Sequence, residues 1–431
     1  MIPFLMDLIY AVALGLGWPY LLYRRWTRGP AGVPWREYLG RVPSRPVSAH
    51  CVWLHAVSLG EVNATRTIVA ELRQRSPDIA VVISSTTTTG LGQARKLYPN
   101  LVTFRFPLDF SFAIRNVLER TRPSVIVLME LEVWPNLLEI AAREGIPVII
   151  ANGRVTTEKS VRRFNWPVVR WLARRMFRTL QWVGAQDGTY QARFIELGVP
   201  AERVEVTGSV KYDAAEVADR IAGQDELAAE MGIDRSQPLW VCGSTGPGEE
   251  ALILDAFSRL RAQFPELQLA IIPRKPERFD EVAQLIVQRG YACLRRSTGA
   301  PVVPSAVPEP RPVFLGDTLG ELRKFYALAT ITFVGRSLVP MGGSDVMEAA
   351  GLGKPVLVGP HTDNFTEAVN LLMAEGACRR VSSADALALA VSDLLRHPER
   401  RVQMGKAGQA AILSRRGATA ATVNKLIDLL P

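Results

Sequence analysis

Cysteine and histidine are scarce in this chain. Four cysteines (Cys51, Cys242, Cys293, Cys378) are scattered over 431 residues with no CxxC spacing. That excludes a disulfide scaffold and a cysteine-ligated zinc site, and it fits reduced thiols in a protein facing the cytosol. The four histidines (His50, His55, His361, His397) form no HxH or HExxH pair, so no metal site is predicted. There is no low-complexity tract and no repeat at a solenoid period, which excludes disordered and repeat architectures. Acidic residues are fewer than basic ones, 42 against 51, giving a formal charge of +9. Such a balance points to an anionic partner: nucleic acid, anionic lipid or a phosphorylated substrate. No nucleic-acid motif accompanies the charge, so nucleic acid is not expected.

What the chain does have begins at its N-terminus. Ile2 to Tyr23 is apolar apart from Asp7, and it is followed at once by Arg24, Arg25 and Arg28. Its length matches the ~20 residues of a membrane span, and the arginines place the following chain in the cytoplasm. Ala11-Val12-Ala13 resembles a cleavage site, but no basic n-region precedes it, so residues 1–28 read as a retained membrane anchor. Gly15, Gly17 and Pro19 leave open a helix lying in the interface instead of crossing it.

From Val52 onward short β-branched runs alternate with helical patterns: Val52–Ala56, Ile79–Ser84, Leu101–Phe106, Val125–Met129, Val148–Ala151, Leu180–Ala185 and Val204–Thr207. The pattern restarts with Leu239–Gly243, Leu267–Ile272, Val313–Leu315, Ile331–Val334 and Val356–Val358. Alternation of this kind predicts an α/β protein with two doubly wound, Rossmann-like domains, parallel sheets and a cleft between them. The predicted division is an anchor at 1–28, a first domain at 29–212, a linker helix at 213–235 and a second domain at 236–412. A last helix at 413–431 packs back on the first domain.

Polar residues gather where strands end. After the first strand, HAVSLGE places Ser58, Gly60 and Glu61 at a helix start, where Glu61 either caps the helix or serves as a general base. After the second, STTTTGLG offers Thr86 and Thr87 to sugar hydroxyls or phosphate. MELEVWPN puts Glu130 and Glu132 at the end of a buried strand, on the same side by alternation, and Arg154 follows the next strand. The basic segment 159–178 carries Arg163, Arg170, Arg174 and Arg178 near one helical face and Val168, Trp171 and Leu172 on another, a membrane-surface pattern. In the second half, GSTGPGEE brings Ser244 and Thr245 to a turn, PRKPER brings Pro273 and Arg274, and GDTLGEL brings Asp317, Thr318, Gly320 and Glu321. GGSDVMEAAGLG reads as a Gly342–Ser344 turn opening a helix over Asp345–Leu352, a backbone cradle for phosphate, with Glu348 one turn in to take ribose hydroxyls.

These motifs, in this order, resemble the 3-deoxy-D-manno-octulosonic acid (Kdo) transferases of lipopolysaccharide assembly. The resemblance runs from the anchor through HAVSLGE, MELEVWPN, GSVKYD, GDTLGEL, SLVPMGG and GPHTDNF. It implies a GT-B fold, attachment at the cytoplasmic face of the inner membrane, CMP-Kdo as donor and a phosphorylated lipid A precursor as acceptor. It also implies an inverting transfer with no cofactor and no metal. Carried onto this chain, Glu61 is the base, and Glu130 and Glu132 support it at the acceptor or the Kdo. Ser244, Thr245, Arg274, Gly342, Gly343, Ser344, Glu348 and Asn364, with Glu367 nearby, would line the CMP side. The chain departs from the family at Ser344-Asp345, where His-Asn is common, at Met347 (often Pro), and at Lys275 and Gly246 (often His). The rival readings are another membrane-associated GT-B transferase with a different nucleotide sugar, and a non-catalytic lipid- or nucleotide-binding module.

Overall fold

A computed structural model describes residues 2–28, 35–45, 50–155, 162, 164, 166–299, 301–302 and 312–430. The chain forms two compact units, one of Met1–Ala214 with Arg415–Pro431 and the other of Ala215–Ser414.

The first unit is built on β1 (Cys51–His55), β2 (Ala80–Ser85), β3 (Val102–Arg105), β4 (Val125–Met129), β5 (Val148–Gly153), β6 (Trp182–Ala185) and β7 (Val204–Val206). Their order is β3-β2-β1-β4-β5-β6-β7, and every pairing is parallel. The central strands are buried along their length because helices cover both faces, which is why they read as continuous apolar runs. Trp53 and Phe104 pack on one face; Leu54, Ile83 and Val127 pack on the other. The last helix, Ala418–Leu429, closes over Leu59–Arg75 within this unit. Asp213 fixes its start by accepting the Gly417 and Thr419 N–H groups, each at 2.7 Å.

The second unit holds β8 (Leu239–Thr245), β9 (Gln268–Pro273), β10 (Cys293–Arg295), β11 (Pro301–Val302), β12 (Val313–Leu315), β13 (Ile331–Val334), β14 (Val356–Val358) and β15 (Cys378–Arg380). The order is β11-β10-β12-β9-β8-β13-β14-β15, parallel except for the edge strand β11. The three strands missed by sequence reading, β10, β11 and β15, are edge or near-edge pieces too short to show a period. The continuous linker helix expected over 213–235 is instead broken. Val210–Ala214 and Gln224–Met231 are helical, and Gly223 and Gly232 bound the second piece in left-handed conformations.

The N-terminal segment is a helix, Ile2–Arg28, but the expected membrane span is not borne out: among the described residues no helix is long and apolar enough to cross a membrane. One face of it is docked. Asp7 accepts hydrogen bonds from Ser111 N (2.8 Å), Ser111 Oγ (2.5 Å) and Asn136 Nδ2 (2.9 Å). Tyr10 donates to Asp109, which also accepts the Asn136 and Leu137 N–H groups at 2.9 Å. The one acid of the segment is thus tied to the starts of helices Ser111–Thr121 and Pro135–Arg143, where carboxylates are favoured. Phe4, Leu5, Leu8, Ile9, Val12 and Leu16 remain exposed.

The basic helix Pro167–Thr179 turns Ala173, Met176 and Phe177 into the core, so Trp171, placed by pattern with the apolar face, is on the outside together with Trp166. Arg170, Arg174 and Arg178 are exposed, and Arg163 lies outside the described residues.

Candidate active sites at two topological switch points

In the first sheet the chain direction of winding reverses between β1 and β4, and ligands of open α/β sheets bind in the crevice such a reversal opens at the carboxyl ends. The loops there are HAVSLGE and MELEVWPN. Ser58 is the N-cap of helix Leu59–Arg75, extended at φ −104°, and its hydroxyl takes the Glu61 N–H. Glu61 reaches back: Oε2 accepts Val57 N–H at 2.9 Å, and Oε1 accepts Ser58 Oγ–H at 2.9 Å and Ser58 N–H at 3.3 Å. The capping reading of Glu61 is therefore correct, and it also supplies what a base needs, a carboxylate in one fixed orientation. Gly60 is a plain helical position with room around it.

Thr87 caps the next helix. It accepts Gly90 N–H at 3.0 Å and donates to Val57 O at 2.8 Å, so its hydroxyl serves the fold. Gly90 is required by crowding, since a Cβ there would lie 2.3 Å from Ser85 Oγ. Thr86 differs: its hydroxyl is buried and has no partner.

β4 ends at Met129, and Glu130 follows in the left-handed region at φ 58°, so strand alternation does not set its direction. Glu130 and Glu132 nonetheless share surroundings. Burial raises the Glu130 carboxyl, the Glu61 charge raises it further, and Arg154 and Lys211 oppose. Glu132 is pushed up to about 7, first by burial, then by Glu61 and Glu130. Three carboxyl groups therefore act on one another at this edge, one of them titrating near neutrality. Arg154 is half-buried with its Nε unpartnered.

In the second sheet the reversal falls between β8 and β13. Two residues in left-handed conformations end these strands or follow them: Ser244 at φ 54° and Arg336 at φ 59°. Glu249, which sequence reading did not single out, fastens the two loops together. Its buried carboxylate accepts N–H groups from Gly246 (2.9 Å), Arg336 (2.5 Å), Ser337 (2.7 Å) and Leu338 (2.8 Å). The available signal was the acidic pair opening a helix after a glycine turn.

Glu348 is half-buried; burial and Asp345 raise its carboxyl, while Arg323 and Arg274 pull it down. Arg274 leaves β9 with its N–H on Thr245 O and its side chain exposed, directly after the buried Pro273. Tyr326, also missed, is fully buried; its unpartnered hydroxyl occupies the space beside Gly243, where a Cβ would come within 2.2 Å of it. The Ser344 hydroxyl is likewise buried and unpartnered.

The phosphate cradle needs correction. Gly342 and Gly343 have φ of 80° and 79°, which only glycine adopts without strain, but they do not open a helix. The helix begins at Met347 and runs five residues to Gly351. The Gly343 N–H donates to Arg336 O and the Met347 N–H to Asp345, so two of the expected free amides are used. Asn364 packs on the turn, its N–H on Gly342 O at 3.0 Å, and Glu367 is exposed in the helix beyond.

Four residues expected to present side chains to a donor are instead bound within the unit. Thr245 donates to Glu250, which forms a two-pronged ion pair with Arg278. Asp317 is held by Ser297 and Arg295, which keep its carboxyl low against the effect of burial. Thr318 donates to Glu321, and Glu321, despite burial, is held down to about 2 by Arg296, Thr318 and Lys324. Gly320, in a left-handed turn, has open space around it. The sequence showed correctly that these polar residues follow strand ends. It did not show the arginines, remote in the chain, that take them up.

Residues 34–214 match the family described as 3-deoxy-D-manno-octulosonic-acid transferase (kdotransferase). A 3-deoxy-D-manno-octulosonic acid transferase of Haemophilus influenzae is 34% identical over 381 residues, covering 88% of this chain and 86% of that protein. One from Bordetella pertussis is 36% identical over 441 residues, covering 98% and 99%. Among solved structures, MurG of Acinetobacter baumannii (TM-score 0.55, 14% identity, covering 88% and 99%) is similar in fold. So is a UDP-GlcNAc 2-epimerase of Neisseria meningitidis bound to UDP-GlcNAc (TM-score 0.56, 18% identity, covering 88% and 100%).

Proposed function

This chain belongs to the Kdo transferases, glycosyltransferases of GT-B fold, and on that premise we propose that it moves Kdo from CMP-Kdo onto a hydroxyl of a phosphorylated lipid A precursor. The observation that carries the reading is the Glu61 carboxylate, held by three hydrogen bonds at the switch point of the first unit, beside two further carboxyl groups. In this reading Glu61 takes the proton of the acceptor hydroxyl at Oε2, the oxygen with a single hydrogen bond. The new C–O bond forms at the anomeric carbon as the bond to the CMP phosphate breaks, with inversion. The second unit holds the nucleotide. Arg274 meets the charge on the departing phosphate, and Glu348 takes ribose hydroxyls. Arg154 and Lys211 offset the negative charge around Glu130. No metal and no cofactor is assigned a role; turnover unchanged in a chelator is the expected result.

The same reading places the enzyme on the cytoplasmic face of the inner membrane, lying on the bilayer and not crossing it. The exposed Phe4, Leu5, Leu8, Ile9, Val12 and Leu16 of the docked helix would enter the interface, and Trp166 and Trp171 with Arg170, Arg174 and Arg178 would meet headgroups.

Mass spectrometry of a phosphorylated lipid A precursor after incubation with CMP-Kdo and the protein tests the proposal, and the mass gain counts the sugars added. CMP should raise the melting temperature where UDP and GDP do not. Stabilisation by UDP or GDP with turnover of their sugars would replace the donor assignment. Nucleotide binding with no product from any donor would overturn the catalytic one.

A further inference from the structure

A cavity of about 430 Å³ lies in the first unit at the edge strand β3, two strands from the switch point. Its wall carries four guanidinium groups, from Arg36, Arg41, Arg95 and Arg120, and one carboxylate, Glu37. Glu37 does not balance them. It stands 3.6 Å from Arg95 and, on its other side, 3.5 Å from Nε of Arg105, a guanidinium that is itself almost wholly buried. Arg105 is fixed there by Thr86 O at 2.8 Å and by the face of Tyr38. Arg120 gives one N–H to Val42 O. Among the described residues the Arg36 and Arg41 guanidiniums make no hydrogen bond or ion pair at all. Arg95 and Arg105 thus share the one acid, while Arg36, Arg41 and Arg120 line the same recess, which has the size of a small-molecule site, roughly 300–1,000 Å³. Like charges so placed repel, and arginine forks are shaped for the paired oxygens of a phosphate.

We propose that this cavity is a second anion site, independent of the transferase reading, for a ligand bearing a phosphomonoester or diphosphate group. Arg36 and Arg41 are the free forks that grip it, and Arg95 and Arg120 close the far wall. The volume exceeds what one phosphate needs, so the ligand is a diphosphate or a phosphate carried on a larger body. Such a body is either a soluble metabolite or a lipid headgroup; the exposed Trp35 and Leu39, which flank Arg36, would suit the second.

Calorimetric titration of the full chain with pyrophosphate, run on the parent and on Arg36→Ala/Arg41→Ala, is the first arm. Flotation with phosphatidylcholine vesicles, with and without phosphatidic acid, is the second. Both arginines are exposed and unpartnered, so the double variant should melt as the parent does. A loss of pyrophosphate affinity of roughly tenfold or more in the variant supports a soluble ligand. A loss confined to the extra binding that phosphatidic acid brings supports a headgroup. If neither probe separates the variant from the parent, or if pyrophosphate binding is lost with Arg274→Ala instead, the site is refuted.

Discussion

Replacing Glu132 with Gln should stabilise the first unit at high pH and leave it nearly unchanged at low pH. In the folded chain the Glu132 carboxyl is pushed from 4.5 up to about 7 by burial, then by the neighbouring Glu61 and Glu130 charges. At about 1.36 kcal/mol per pH unit the two protonation states differ by about 3 kcal/mol. Glu132 is only partly shielded from water, and screening reduces this to about 1–2 kcal/mol. The folded state binds the proton more tightly than the unfolded one, so the share of stability that Glu132 contributes is complete below about pH 4.5. It is lost as the pH rises through about 7. Glutamine mimics the protonated acid and does not titrate. The unit comprises 231 residues, so the gain should appear as a rise in melting temperature of roughly 2–8 °C at pH 8.5, fading toward pH 5. The assay is thermal unfolding of parent and variant across that range. An equal shift at both ends would mean that packing is responsible and not charge. A lower melting temperature of the variant at pH 8.5 would mean that the ionised carboxylate is stabilised where it stands, and the account of three opposed carboxyl groups would fail.

Glu61→Gln should cut turnover by a factor of about 10²–10⁴ while costing only about 0.5–2 kcal/mol of stability through the damaged cap; initial rates and melting on the same preparation separate the two. Asp7→Ala removes three hydrogen bonds and should loosen the N-terminal helix by about 2–4 kcal/mol, seen as faster proteolysis before Trp35, whereas Asp7→Asn should stay close to the parent. Glu249→Gln turns an amide donor toward two of four backbone N–H groups and should destabilise the second unit by about 2–5 kcal/mol in urea unfolding, leaving the first unit's transition in place.

Much of this architecture could be read from periodicity, because strands buried on both faces announce themselves. The apolar runs Val125–Met129 and Ile331–Val334 coincide with β4 and β13 end to end for that reason. What periodicity does not carry is the destination of a polar side chain. The Ser58–Glu61 capping box is legible in the sequence because it is local, its partners three residues apart. Asp317 and Glu321 looked equally exposed in the sequence, but Arg295 and Arg296 reach them from more than twenty residues away. The N-terminal helix shows the same limit. Its hydropathy suggested a span because a lone Asp7 weighs little in an average. In the fold that carboxylate, with the Tyr10 hydroxyl on Asp109, ties the helix to the first unit.

A single backbone device recurs at both switch points. Glu130 and Asn152 follow or end β4 and β5, and Ser244 and Arg336 end or follow β8 and β13, all with φ between 54° and 59°. A non-glycine residue in that region costs about 1–2 kcal/mol, and neighbours must hold it there. At three of the four they do: the Glu130 N–H is on Ala151 O, Asn152 Oδ1 takes Ser209 Oγ–H and Val210 N–H, and the Arg336 N–H is on Glu249 while its carbonyl takes Gly343 N–H. Glycine would adopt the same turn at no cost, but it would bring no side chain to the carboxyl edge. Strain kept at four strand ends is consistent with selection for what those residues present there, not for the turn itself. Glycine at Ser244, whose hydroxyl makes no hydrogen bond among the described residues, should therefore raise stability slightly while weakening nucleotide binding, and glycine at Asn152, whose side chain holds Val210, should lower stability; the opposite signs, read in urea unfolding, distinguish a presenting residue from a bracing one.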